Sequence, residues 1–92
     1  MFRPADQRNV QAAMDAALPL PFQAEIELLN DRMTMRVFVT DPDNAAMPVV
    51  QAVWDYDASK VANGKAQPRE AELAGVTAQF VTACQNYAAA KG

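Results

Sequence analysis

The chain has 92 residues, the length of one small domain, because chains divide into several domains only well above this size. Hydrophobic residues make up 51% of it and charged residues 21%, a balance that can bury a core and that disfavours disorder. Eight Lys and Arg against eleven Asp and Glu give a net charge of −3, and the basic residues are scattered. Direct binding to nucleic acid is therefore not expected.

The residue types that the chain lacks disfavour several kinds of site. It contains no histidine and a single cysteine, Cys84, so neither an internal disulfide nor a Cys/His zinc site can form. Without histidine, a Ser–His or Cys–His catalytic pair is also excluded. These observations predict a protein that is not an enzyme, holds no metal or cofactor, and occupies a reducing cytoplasm.

The hydrophobic pattern gives no sign of membrane insertion or export. No apolar run approaches the roughly 18 residues needed to cross a bilayer. The first eight residues lack the hydrophobic segment of a secretory signal, so we expect no membrane association. The alanine-rich composition favours a bacterial or phage origin.

A first helix is predicted from Pro4 to Leu18. Its apolar residues recur with the spacing of one buried helical stripe: Val10, Ala13, Met14, Ala17 and Leu18. Pro19 and Pro21 end the helix, since proline lacks a backbone donor and clashes with the preceding turn.

Two alternating segments, Phe22–Leu29 and Arg32–Thr40, predict a β-hairpin with Asn30-Asp31 as a two-residue turn. This turn predicts a register in which every inward pair is apolar: Leu28–Met33, Ile26–Met35, Ala24–Val37 and Phe22–Val39. On the other face it places Glu25 beside Arg36 and Glu27 beside Thr34. A slip of one residue would set charged side chains beside apolar ones.

A third strand from about Val49 to Tyr56 follows a short connection, so we expect an antiparallel meander. A polar linker, Ala58–Gln67, leads to a second helix from Pro68 to about Ala90. Its apolar stripe comprises Leu73, Val76, Phe80, Cys84 and Tyr87. A heptad pattern over Leu73–Ala90 is shorter than three heptads, so we expect packing on the domain's own sheet rather than a coiled coil.

The predicted fold is α+β with the order α-β-β-β-α. It forms one domain over residues 1–92, a three-stranded antiparallel meander with two helices packed on one face. Double-stranded-RNA-binding domains share this element order. Their second helix begins with lysines that bind phosphates, whereas this one begins Pro68-Arg69-Glu70-Ala71-Glu72, so we do not assign that family.

The outer face of the predicted sheet is the candidate binding surface. If Val50, Trp54 and Tyr56 point toward the helices, an apolar patch with charged and polar neighbours points away. The expected partner-binding residues are Phe38, Val49, Val53, Arg36, Gln51 and Asp55. The alternative is that β-propensity alone selects valine and phenylalanine at these positions. The third strand would also be an open edge that can pair with another chain.

These features favour a non-enzymatic protein–protein interaction module, such as an adaptor, assembly factor or inhibitor. Its partner would be another protein or a second copy in a homodimer. The alternative is a phage- or plasmid-encoded acidic inhibitor of a nucleic-acid-processing enzyme, of the anti-restriction or anti-CRISPR type. It would present Asp41, Asp43, Asp55 and Asp57 to a basic groove.

An enzymatic alternative depends on five residues. Asp55-Tyr56-Asp57-Ala58-Ser59 resembles the acidic DxDx(T/V) loop of haloacid-dehalogenase-type phosphotransferases, with Ser59 at the last position. The resemblance implies one aspartate as nucleophile, a second in proton transfer, and a magnesium ion. The chain is too short for the parallel α/β sheet of those enzymes, so we rank this alternative last.

Overall fold

The computed structural model describes residues 1–44, 46–56 and 70–91. Its elements are α1 (Pro4–Ala17), β1 (Gln23–Leu29), β2 (Thr34–Thr40), β3 (Val50–Asp55) and α2 (Glu70–Lys91). The strands form one antiparallel sheet in the order β1-β2-β3. The α+β class and the predicted element order are therefore confirmed. The predicted linker Ala58–Gln67 and the start of the second helix at Pro68 lie outside the described residues.

Helix α1 begins and ends at local sequence signals. Pro4 occupies the first helical turn, where its missing N–H costs nothing. The Asp6 carboxylate accepts the Arg3 backbone N–H at 2.7 Å, satisfying a donor at the helix start. At the other end, the Leu18 N–H donates to Met14 O at 2.9 Å, directly before the proline that stops the helix.

The two helices cover one face of the sheet, with α1 against β1 and α2 against β3. The buried core draws on both helices and all three strands. It comprises Phe2, Val10, Met14, Leu18, Phe22, Ala24, Met35, Val37, Val39, Trp54, Phe80 and Cys84. Leu73, Val76 and Tyr87 pack against this core, so the predicted stripe of the second helix is confirmed. Ala17, predicted to share the α1 stripe, is the last residue of the helix and is exposed.

The hairpin register differs from the prediction by two residues. Leu28 lies opposite Met35 rather than Met33, and Glu27 rather than Glu25 lies opposite Arg36. The connection spans four residues, Asn30–Met33, and the Met33 N–H donates to Asn30 O at 3.0 Å. Arg32, predicted to start the second strand, belongs instead to the turn. A shift of two residues keeps every side chain on its original face, which is why the apolar pattern cannot distinguish the two registers.

The turn takes this form because three consecutive residues adopt left-handed backbone conformations. The φ angles of Asn30, Asp31 and Arg32 are 53°, 54° and 65°. Asn and Asp tolerate this region comparatively well, whereas arginine does not. The Arg32 carbonyl accepts the Phe2 N–H at 2.7 Å, so the turn also anchors the N-terminal segment.

Candidate functional site: the outer face and edge of the sheet

The outer face of the sheet, defined by the side chains that point away from both helices, is built from all three strands. The observed register sets Glu25, Phe38 and Gln51 in one row across the sheet. Glu27, Arg36 and Val53 form the next row, and Leu29, Thr34 and Asp55 the third. This face therefore contains five of the six predicted partner-binding residues.

Arg36 lies at the centre of this face and is held by three neighbours. Its Nε and Nη2 donate to the Gln51 side-chain oxygen at 3.1 and 3.0 Å, and Nη1 donates to Glu27 at 3.3 Å. The guanidinium carbon lies 4.1 Å from the centroid of the Phe38 ring, a cation–π contact. The guanidinium group is thus positioned over the sheet before any partner arrives.

Apolar surface flanks this arginine. Val53 on β3 is 58% exposed and Leu29 on β1 is 41% exposed, whereas Phe38 is half-buried beneath Arg36. Because the guanidinium covers part of the Phe38 ring, Val53 is the most accessible apolar residue of the predicted set.

Val49 does not belong to the outer face, contrary to the prediction. It precedes β3 and is half-buried against the core. Its N–H donates to Val39 O at 2.8 Å, although the register partner of Val39 is Val50. Two residues opposite one is the geometry of a β-bulge, which breaks the strict alternation of side chains and turns Val49 inward.

The backbone of β3 has one paired and one outer edge. The Tyr56 N–H donates to Met33 O at 2.8 Å, in the same register as β2 and β3. Because hydrogen-bonded pairs alternate along an antiparallel ladder, Gln51, Val53 and Asp55 direct their backbone groups away from β2. Among the described residues, no strand pairs with this outer edge.

The acidic residues of the inhibitor alternative are not equally available. Asp41 is 2% exposed and its carboxylate accepts hydrogen bonds from Lys91 Nζ and Tyr87 OH, each at 2.7 Å. It also accepts the Asp43 N–H at 2.9 Å. Asp43 is exposed, with its carboxylate 3.5 Å from Lys91 Nζ. Asp41 therefore joins the end of β2 to the last turn of α2 and cannot present its carboxylate to a basic groove. Asp57 lies outside the described residues.

The contacts of the buried Asp41 carboxylate shift its own pKa and the pKa values of Tyr87 and Lys91. Hydrogen bonds from Lys91, Tyr87 and the Asp43 backbone lower the pKa of Asp41 from 3.8 to about 2. The Asp41 carboxylate in turn raises the pKa of Tyr87 and the pKa of Lys91. Asp41 and Lys91 therefore form a structural ion pair, in which both charges are paired within the same chain.

Three further observations bear on function. Within residues 1–44, 46–56 and 70–91, no group of three or more His, Cys, Asp or Glu side chains could hold a metal ion. None of the helices described there is long and apolar enough to cross a membrane. Between α1 and α2 lies an apolar groove of about 620 Å³, lined by Ala13, Leu73, Ala74 and Val81 among others. The sequence alone did not indicate this groove, because it depends on how the two helices pack together.

Comparisons with known proteins add no assignment: no protein-family model, curated protein or solved structure matches this chain.

Proposed function

We propose that this protein is a non-enzymatic protein–protein interaction module that binds its partner through the outer face of the sheet and the adjoining edge of β3. The observation that carries the proposal is the arrangement around Arg36. An arginine fixed by Glu27 and Gln51 and stacked on Phe38 stands beside the exposed Val53.

This arrangement has the composition of an interface centre. Arginine and aromatic residues are enriched among the residues that contribute most to binding between proteins. A side chain already held in one conformation loses less entropy on binding than a free one, so a preformed Arg36 favours affinity. Val53 and Leu29 supply apolar area on either side of it.

Affinity capture with matched variants tests the proposal. The tagged protein is compared with Val53→Asp and with Met47→Asp, which changes an equally apolar, 76% exposed residue in the connection before β3. We expect wild type and Met47→Asp to retain the same partner, either another protein or untagged copies of this chain, and Val53→Asp to lose it. Equal retention by all three proteins would contradict binding through the outer face.

Val53 is a better target than Phe38 for this test. Phe38 is half-buried under the Arg36 guanidinium, so a charge there would also disturb the folded sheet. An exposed valine can be changed to aspartate with a small effect on the free energy of unfolding, about 1 kcal/mol or less. Circular dichroism of each variant confirms that the fold is kept.

A further inference from the structure

We propose that the partner protein presents an extended segment whose aromatic side chain stacks on the Arg36 guanidinium and whose lysine or arginine, two residues away, pairs with Glu25. The inference rests on the proposed function, because it names the chemistry of the partner at the same outer face. It is supported by the geometry of Arg36 and by the charges that this face carries on β1 and β2.

The contacts of Arg36 occupy one planar face and most of the edge of its guanidinium group. The group carries five N–H donors in one plane, and Nε, Nη1 and Nη2 each use one of them on Gln51 or Glu27. Phe38 lies against one face of this plane, with 4.1 Å between the guanidinium carbon and the ring centroid. The Arg36 side chain is still 27% exposed. A partner therefore reaches it on the face opposite Phe38 and at the two remaining N–H groups.

An aromatic ring is the group that fits this exposed planar face. Guanidinium groups stack on aromatic rings, and one already held in a fixed plane loses little entropy when a second ring stacks on it. Val53 lies opposite Arg36 in the same row and is 58% exposed, so it supplies apolar contact for the edge of that ring. The partner ring and Phe38 would then enclose the guanidinium from both sides.

The charges beside Arg36 favour a cation in the partner over a carboxylate. On β1 and β2 the outer face carries two carboxylates and one guanidinium: Glu25, Glu27 and Arg36. Glu27 is paired with Arg36, whereas Glu25 is exposed and, in the described part of the chain, makes no hydrogen bond or ion pair. A carboxylate arriving at the remaining N–H groups of Arg36 would meet these like charges. A lysine or arginine would instead compensate the charge of Glu25.

The register of the sheet sets the spacing between the two partner side chains. Glu25 lies opposite Phe38 and Glu27 lies opposite Arg36, so Glu25 and Arg36 are diagonal neighbours across β1 and β2. Diagonal neighbours lie about 7–8 Å apart. Side chains two residues apart in an extended segment point to the same side and are separated by about 7 Å. An aromatic residue and a basic residue at this spacing therefore reach Arg36 and Glu25 together.

Selection from a displayed library of random peptides on the immobilised protein tests the inference. We expect the enriched peptides to share an aromatic residue with a lysine or arginine two positions away. In the tightest of them, replacing the aromatic residue by leucine should weaken binding by about two- to thirtyfold, the range of a cation–π contact. This change is made on the peptide, so the fold of the protein is not altered.

Matched variants of the protein locate the bound peptide. Arg36→Lys keeps the charge but not the plane, and should weaken binding by about two- to thirtyfold. Glu25→Gln should weaken it by about two- to fivefold, and should not affect a peptide whose basic residue is replaced by glutamine. Arg8→Lys on α1 and Glu72→Gln on α2 make the same chemical changes at exposed positions elsewhere, and should bind like wild type.

Nuclear magnetic resonance of the complex reports the stacking itself, because the ring current of the bound aromatic group shifts the Arg36 Hε resonance upfield. The leucine peptide should not reproduce this shift. The inference is overturned if no peptide is enriched, if the enriched peptides are acidic or lack an aromatic residue, or if Arg36→Lys binds as well as wild type. Self-association of wild type that Val53→Asp abolishes, without an enriched peptide, would identify a second copy as the occupant instead.

The proposed function is judged separately by affinity capture. If that experiment yields a protein that Val53→Asp loses, binding through the outer face stands even when the peptide selection overturns the chemistry inferred for the partner. Failure of both experiments would remove the function as well.

Discussion

Replacing Arg32 by glycine tests the register that places the outer-face residues beside one another. In the structure Arg32 has a φ of 65°, a left-handed conformation that costs a non-glycine residue about 1–2 kcal/mol. Glycine removes that cost but loses about 0.5–1 kcal/mol through the greater entropy of the unfolded chain. The difference between these two ranges is a stabilisation of about 0–1.5 kcal/mol, and its middle, about 0.5–1 kcal/mol, is the expected value.

The contribution of the Arg32 main chain is retained in this variant, because the hydrogen bond from Phe2 N–H reaches the backbone carbonyl. For a domain of this size, a gain of about 0.5–1 kcal/mol raises the thermal midpoint by about 2–8 °C. Calorimetry at a fixed protein concentration measures it. Thr34→Gly, two residues further on and inside β2, is the control and should lower the midpoint.

The sign of the effect decides between the two registers. With a two-residue turn at Asn30-Asp31, Arg32 would lie in the strand, where glycine destabilises by about 0.5–1 kcal/mol. A lower midpoint for Arg32→Gly would therefore refute the observed register. The opposition of Glu27 and Arg36 across the outer face would be refuted with it.

Three further predictions concern the core and the buried ion pair. Since the pKa of Asp41 is lowered to about 2, its carboxylate stabilises the fold fully above about pH 4, and this contribution is lost as the pH falls toward 2. Urea unfolding at several pH values should show this loss for wild type and for the exposed-site variant Asp43→Asn, but not for Asp41→Asn. Burial raises the pKa of Cys84, so its thiol should react with a disulfide reagent only as the protein unfolds, and rapid reaction of the native protein would contradict the core. Phe80→Ala should lower the free energy of unfolding by about 3–5 kcal/mol, and a loss below about 1 kcal/mol would show that Phe80 is not in the core.

Local patterns were sufficient to predict which elements form and which faces they bury. The alternation of Ile26 and Leu28, and of Val37 and Val39, indicated the strands because a period of two is a property of the extended backbone. The proline residues marked the end of α1 for an equally local reason. These signals do not depend on the rest of the chain.

The sequence did not predict the β1–β2 register or the bulge at Val49, because both depend on backbone conformations that the apolar pattern does not encode. Asn30-Asp31 signals a turn, but not that Arg32 joins it with a positive φ. Val49 and Val50 are identical in type, so nothing in the pattern indicated that a bulge turns Val49 inward. Because the turn is longer than predicted, Glu27 lies opposite Arg36 rather than Thr34, and Glu25 lies opposite Phe38 rather than Arg36.

The sequence also did not predict contacts between residues that are far apart along the chain. Phe2 is fully buried and packs edge-on against Tyr56, with ring centroids 5.4 Å apart, although no periodic segment includes it. Asp41 has the sequence context of an exposed turn aspartate, yet it is buried by Tyr87 and Lys91 from the far end of the chain. Such partners are found only once the helices are placed on the sheet.

The most direct measurement of the central claim is site-specific photo-cross-linking in the cells that produce the protein. A benzophenone amino acid replaces Val53 on the outer face, or Met47 in the connection before β3 as the matched position. We expect adducts from position 53, with a second copy of the chain or with another protein, that are absent from position 47. Adducts that are absent from position 53, or equally abundant at both positions, would contradict binding through the outer face of the sheet.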